Sequence, residues 1–117
     1  MNALDAICRA LEFIEARLRA PTAVADVAAA VGYSVYHFCR TFNRVAHHTP
    51  YDYLIRRRLA EAAGLLLTSD RRAIDVALDY RFNSPETFSR AFRRVYGLSP
   101  RQARKAGRID AWRAMPS

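Results

Sequence analysis

The 117-residue sequence predicts an all-α fold: seven helices forming a tandem double helix-turn-helix, joined by a long central linker helix. Three observations carry that expectation. Apolar residues recur at spacings of three and four, with no convincing strand alternation. A block of sequence returns after 49 to 50 positions. The chain is strongly basic, with 19 Lys+Arg against 11 Asp+Glu, a net charge of +8 and a pI near 10.3.

Leu4, Ile7, Leu11, Ile14 and Leu18 form one apolar stripe on a first helix. Pro21-Thr22 ends it and starts a second, with Thr22 as N-cap and Val24, Val27, Ala28 and Val31 facing inward. Gly32 stops that helix, and Ser34 caps a third that runs to about residue 46. Thr49-Pro50 opens the long fourth helix, with Pro where its missing N–H costs nothing. Ile55, Leu59, Ala62 and Leu66 make its buried stripe, and Gly64 weakens it by ~1 kcal/mol.

After the Thr68-Ser69-Asp70 turn, Ile74, Ala77 and Leu78 mark a short fifth helix. Asn83-Ser84-Pro85-Glu86 combines a cap residue, Pro and a first-turn acid, and so starts a sixth helix to Tyr96. Gly97 ends it. Ser99-Pro100 opens a seventh through about residue 105. Expected boundaries are a first helix-turn-helix subdomain over 4–48, a linker helix over 49–67, a second subdomain over 68–106 and a frayed tail over 107–117.

The repeat is specific. Asp26-Val27-Ala28 returns as Asp75-Val76-Ala77 after 49 residues, and Phe38-Cys39-Arg40-Thr41-Phe42 returns as Phe88-Ser89-Arg90-Ala91-Phe92 after 50. Arg44-Val45 becomes Arg94-Val95, and Thr49-Pro50 becomes Ser99-Pro100. The extra residue falls in the turn between the paired helices, where an insertion disturbs least. At ~100° per residue, Phe38, Phe42 and Val45 share one side of the third helix. Tyr36, Arg40 and Asn43 lie opposite, with Arg44 flanking. In the sixth helix Phe88, Phe92 and Val95 repeat the apolar side, while Glu86, Arg90 and Arg93 point outward with Arg94 flanking.

A polar, Arg-bearing face on the first two turns is what a recognition helix in the major groove needs. Eighteen of the nineteen cations are Arg, whose planar fork suits phosphates and guanine edges. Residues 1–39 hold three cations and four acids; residues 40–117 hold sixteen and seven. A solvated amphipathic face would explain one such helix, but two copies with Arg at the matching position outweigh that reading. The linker helix adds scale: roughly 17 residues make a rod of ~25 Å, near the ~34 Å between successive major grooves on one DNA face.

Other chemistries find little. His37, His47 and His48 lack a supporting carboxylate or cysteine pair, so no metal is expected. Two cysteines 31 positions apart form neither a disulfide framework nor a CxxC site. Cys39 beside Arg40 is a conceivable thiol switch, outweighed by a small residue on a helix flank. There is no Gly-rich phosphate loop and no catalytic triad or carboxylate pair, so neither enzyme activity nor a cofactor is expected. Tyr33, Tyr51, Tyr53, Phe82 and Tyr96 read as packing residues. No apolar run approaches the ~20 residues of a membrane span, and the N-terminus is no secretory signal. A cytoplasmic setting follows.

These residues resemble the DNA-binding domain of the AraC/XylS transcription regulators. The family's signature is close to Phe82-x-Ser84-x-x-x-Phe88-x-Arg90-x-Phe92-x-x-x-x-Gly97-x-Ser99-Pro100, and Gly32-Tyr33-Ser34, Phe38, Arg40, Phe42 and Pro50 match the first unit. The likeness covers about residues 4–105. It implies a homeodomain-like, bacterial-type regulator similar to the family's small stand-alone activators, binding an asymmetric double-stranded DNA site as a monomer, with RNA polymerase as a further partner. By position, base reading falls to Tyr36, Cys39 and Arg40 in the third helix and Glu86, Ser89, Arg90 and Arg93 in the sixth, and the outward projection of the third helix adds Asn43. Phosphate contacts fall to Ser34, Arg44, Arg56, Ser84, Arg94, Arg101 and Arg104.

Two positions depart from the pattern. The family usually has Gly where Arg81 stands, so Arg81 either carries left-handed strain of ~1 kcal/mol or more, or the turn differs. Glu86 replaces a residue that is often neutral and polar; it can accept from cytosine N4 but would repel a nearby phosphate. A protein-interaction module gripping RNA polymerase with a basic face is the alternative class. With the first helix starting close to Met1, an effector-binding domain is expected after residue 117 rather than before it.

Overall fold

The computed structural model describes residues 2–109. Among them are seven α-helices and no strand: α1 (Ala3–Glu15), α2 (Val24–Ala30), α3 (Val35–Ala46), α4 (Pro50–Thr68), α5 (Ala73–Asp79), α6 (Pro85–Tyr96) and α7 (Pro100–Ala106). The chain divides between Ile55 and Arg56 into two units, a boundary that falls inside α4.

In the first unit, the Asn2 side chain caps α1 by accepting the Asp5 N–H at 2.8 Å. Ala6, Ile7, Ala10 and Ile14 are its buried positions. The stripe is narrower than the spacing predicts, because Leu4 is 61% exposed and Leu11 half-buried. The helix also stops at Glu15, and Leu18 is buried from the turn that follows. Thr22 is not the N-cap of α2. Its hydroxyl turns back to donate to the carbonyls of Ala20 and Arg17, and Ala23 takes the cap position, where the Asp26 carboxylate accepts its N–H at 2.8 Å. Val27, Ala28 and Val31 are buried, whereas Val24 is only half-buried at the helix start.

Gly32 adopts φ 75°, and the N–H groups of Gly32 and Tyr33 close back on the carbonyls of Ala29 and Ala28. This left-handed ending frees the chain to start α3 at once, where the Ser34 hydroxyl accepts the His37 N–H. Phe38 and Phe42 are fully buried, and the Phe42 ring meets Tyr53 edge-on at 5.8 Å. Val45, expected in that core, is half-buried, one turn beyond the Phe pair near the end of α3.

The second unit holds the rest of α4 and α5 to α7. Leu59, Ala62, Ala63 and Leu66 are buried on α4, and Arg58 is buried with them at 6% exposure; Ile55, at the unit boundary, is half-buried. On α5 the buried residues are Val76 and Ala77. Ile74 and Leu78, expected to define that helix, are 38% and 51% exposed. A seven-residue helix buries one narrow face, and Val76, Ala77 and Tyr80 supply it. The Arg71–Asp79 pair, at 2.6 Å, joins the preceding loop to the end of α5.

Ser84 accepts the Thr87 N–H and Pro85 takes the first position of α6. Phe88, Phe92, Val95 and Tyr96 are buried. Ring centroids step through Phe82, Phe88, Phe92 and Tyr96 at 5.1, 5.7 and 4.7 Å, tilted or edge-on as aromatic quadrupoles prefer. Ser99 and Gln102 close a reciprocal capping box at the start of α7. The end of α4 is closed by side chains: Thr68 donates to the Gly64 carbonyl, Ser69 to Leu65, and Arg104 Nε to Leu66 at 3.0 Å. Gly107 ends α7 with φ 76°. Trp112 and the tail from residue 110 onward lie outside the described residues.

Candidate nucleic-acid interface

Each unit positions one polar helix face by the same means. In α3 the two fully buried rings of Phe38 and Phe42 fix the helix about its axis, so residues half a turn away must face solvent. Tyr36, Cys39, Arg40 and Asn43 line one open depression there, of about 550 Å³, together with Arg44, Thr49 and Pro50. Tyr36 is 71% exposed. Its hydroxyl accepts a hydrogen bond from the Arg40 Nη1 at 2.8 Å, and the guanidinium carbon lies 5.6 Å from the ring centroid. Arg40 is therefore held at the mouth of the depression rather than waving in solvent. Tyr33 and His37 stack in parallel at 4.3 Å.

In α6 the Phe88 and Phe92 rings do the same, and Glu86, Ser89, Arg90 and Arg93 line a second depression of about 460 Å³. Here Arg90 makes only a long 3.4 Å contact from Nε to the Glu86 backbone carbonyl. All eight residues expected to read bases thus gather into two groups of four, at positions related by 50 residues.

The residues expected at phosphates behave less uniformly. Ser34 and Ser84 have hydroxyl oxygens that accept helix-start N–H groups, and the Ser84 hydroxyl also shares a 3.0 Å hydrogen bond with the Thr87 hydroxyl. Arg44, Arg94 and Arg101 are exposed, and Arg56 is half-buried on α4. Arg104 is half-buried too, and its Nε and Nη2 are committed to the carbonyls of Leu66, Ser69 and Arg71. Sequence spacing did not signal this, because the partners lie 33 to 38 positions away.

Several acids of the second unit are already matched to arginine. Asp79 pairs with Arg71 and Glu61 with Arg57 at 3.7 Å. The Arg72 hydrogen bond to Asp75 holds that carboxyl below its usual range. Among the described residues, Glu86 has no such pair, although Arg90 and Arg93 share its depression. No group of three or more potential metal ligands gathers among the described residues, and none of their helices is long and apolar enough to cross a membrane.

The model of a helix-turn-helix domain family matches residues 8–106. The regulatory protein SoxS of Salmonella typhimurium is 38% identical over 90 residues, covering 77% of this chain and 84% of that protein. The solved DNA-binding domain of AdpA, a global transcriptional factor in complex with a target DNA, superposes with a TM-score of 0.81 at 31% identity, covering 86% of this chain and 90% of that one. A structure from Chromobacterium violaceum, described as an AraC-type DNA-binding-domain regulator, has a TM-score of 0.81 at 27% identity and covers 98% and 97%. Two further relatives, the transcriptional regulator Rob of Salmonella typhimurium and the right origin-binding protein of Escherichia coli, are much longer, and the chain spans 37% of their length at 36% identity. With its family model over most of the chain and its all-helical duplicated fold, the chain belongs to the AraC/XylS family of helix-turn-helix proteins.

Proposed function

We propose that this chain is a sequence-specific double-stranded DNA-binding transcription regulator, with α3 and α6 as its two recognition helices. The observation that carries this reading is the pair of matched depressions, each with an arginine at the repeated outward position, Arg40 and Arg90. Tyr36, Cys39, Arg40 and Asn43 read one half-site; Glu86, Ser89, Arg90 and Arg93 read the other. Arg suits guanine O6 and N7, and Asn suits adenine N6 and N7. Ser34, Arg44, Arg56, Ser84, Arg94 and Arg101 hold phosphates, with Arg104 contributing only the Nη1 that its carbonyl contacts leave open. The function is binding rather than catalysis, in the cytoplasm. One chain, as a monomer, engages one asymmetric site because its repeat is tandem, and RNA polymerase is the further partner of an activator of this kind.

The test is binding of folded variants to duplex libraries in which each half-site is randomised separately. Arg40→Ala and Arg90→Ala should each cost ~1–3 kcal/mol at the best site and relax preference only in their own half. Arg94→Ala should weaken all sequences about equally and lower the salt slope by about one. A uniform loss for Arg40→Ala and Arg90→Ala would overturn the reading and leave a basic face of the kind that grips a protein partner.

A further inference from the structure

The two depressions share a geometry and differ in one chemical respect. Tyr36 and Glu86 occupy the same place, the second residue of their helices, 50 positions apart. Tyr36 is engaged by Arg40 through its hydroxyl. Glu86 is exposed and forms no ion pair with Arg90 or Arg93, though both line its depression. Arg90 instead leans on the Glu86 backbone carbonyl at 3.4 Å. A carboxylate thus stands uncommitted at the first turn of α6, in a depression where the other charged groups are cations.

We propose that Glu86 is the specificity-determining residue of the α6 half-site and commits it to a cytosine. This rests on the DNA-binding reading above and deepens it. An ionised carboxylate only accepts hydrogen bonds. In the major groove cytosine offers an N4 amino donor, whereas guanine presents O6 and N7 and thymine presents O4, all acceptors. Facing either of those, the carboxylate would be desolvated without a donor and repelled, so Glu86 selects as much by rejection as by attraction. Adenine presents its N6 donor beside the N7 acceptor, which one carboxylate satisfies only in part. Arg90 and Arg93 add preferences for guanine, giving α6 a G·C-rich half-site. The α3 half-site differs: Arg40 takes guanine, Asn43 adenine, and the Tyr36–Cys39 surface a thymine methyl.

An acid in the first turn of a helix also stabilises that helix through its dipole. That role alone would shift melting temperature and leave base preference untouched, so the two are separable. The wild-type chain, Glu86→Gln and Glu86→Ala, each checked for folding by circular dichroism, are used to select duplexes from a fully randomised pool. The wild-type pool should carry cytosine at one position of the α6 half. Replacing that cytosine by 2-pyrimidinone, which lacks the N4 amino group, should weaken wild-type binding about ten-fold. The same replacement should weaken Glu86→Ala less than about two-fold. Glu86→Gln, now a donor and an acceptor, should move the preference to adenine at that position. Preferences in the α3 half should stay the same throughout. If all three proteins select the same base there, or wild type selects guanine or thymine, Glu86 is only a helix-start acid and the inference fails while DNA reading stands. If the wild-type chain enriches no sequence at all, the DNA-reading function itself falls.

Discussion

The two units close the same backbone with glycine in opposite places. The turn before α3 uses Gly32 at φ 75°, while the turn before α6 uses Arg81 at φ 68°. At the far ends of those helices the roles reverse: α3 ends on His47 at φ 61°, and α6 on Gly97 at φ 80°. The hydrogen bonds do not notice. Tyr33 N–H reaches Ala28 at 2.9 Å and Phe82 N–H reaches Ala77 at 3.0 Å; His47 N–H to Asn43 and Gly97 N–H to Arg93 are both 2.8 Å. Left-handed backbone is therefore imposed at all four positions by the closure that the flanking helices require, and glycine merely relieves it. A Cβ built on Gly32 meets nothing within 4 Å, so backbone strain, not crowding, is what a side chain there would add.

The largest effect that can test this equivalence lies in the cores. Phe42→Ala and Phe92→Ala remove fully buried rings from matching positions and should each cost ~3–5 kcal/mol, measured by urea denaturation. A cost below ~1 kcal/mol for either ring would show that the units are not packed alike.

Next comes alkaline pH, which should separate the units. Tyr96 is buried in the second unit, where the first has Ala46. Burial pushes its phenol up to about 12, against the pull of Arg57 and Arg56. A folded value raised above the usual ~10 favours the protonated form, so its contribution is fully present below pH ~10. It is lost as pH rises from ~10 to ~12, because the unfolded chain ionises first; the loss is of order 2 kcal/mol. Tyrosinate absorbance in Tyr96→Phe against wild type, with stability followed over that range, checks it. An unchanged pH profile in Tyr96→Phe would place the alkaline sensitivity elsewhere.

Smallest is the glycine exchange. Arg81→Gly should stabilise by ~0.5–1 kcal/mol, strain relief being offset in part by the freer unfolded chain. Gly32→Arg should destabilise by a similar amount, both read from thermal melts. If Arg81→Gly lowers stability instead, the Arg81 side chain rather than its backbone holds that turn.

Legibility in the sequence followed the range of the interaction. Ser34, Ser84 and Ser99 were readable as caps because each acts on an N–H three residues away. The Phe38–Phe42 and Phe88–Phe92 stripes were readable because a helix repeats at that spacing. From the same projection, the outward residues of α3 and α6 group as two faces. Thr22 misled because its hydroxyl had a competing local acceptor behind it. Ile74 and Leu78 misled because apolar side chains mark a helix without saying which face the unit will cover. Arg58, buried beside the half-buried Arg56 and Arg57, looks the same as its neighbours in sequence. Arg104 was unreadable as a fastening because nothing local points to carbonyls more than thirty residues upstream.

That fastening sets an order of events during synthesis. The carbonyls of Gly64 and Leu65 find their donors in Thr68 and Ser69 as soon as those residues emerge. The Leu66 carbonyl waits for Arg104, 38 residues later, as do the carbonyls of Ser69 and Arg71. At ~5–20 residues per second, a ribosome leaves this helix end open to water for about two to eight seconds. The last turn of α4 is then completed only once α7 has been made.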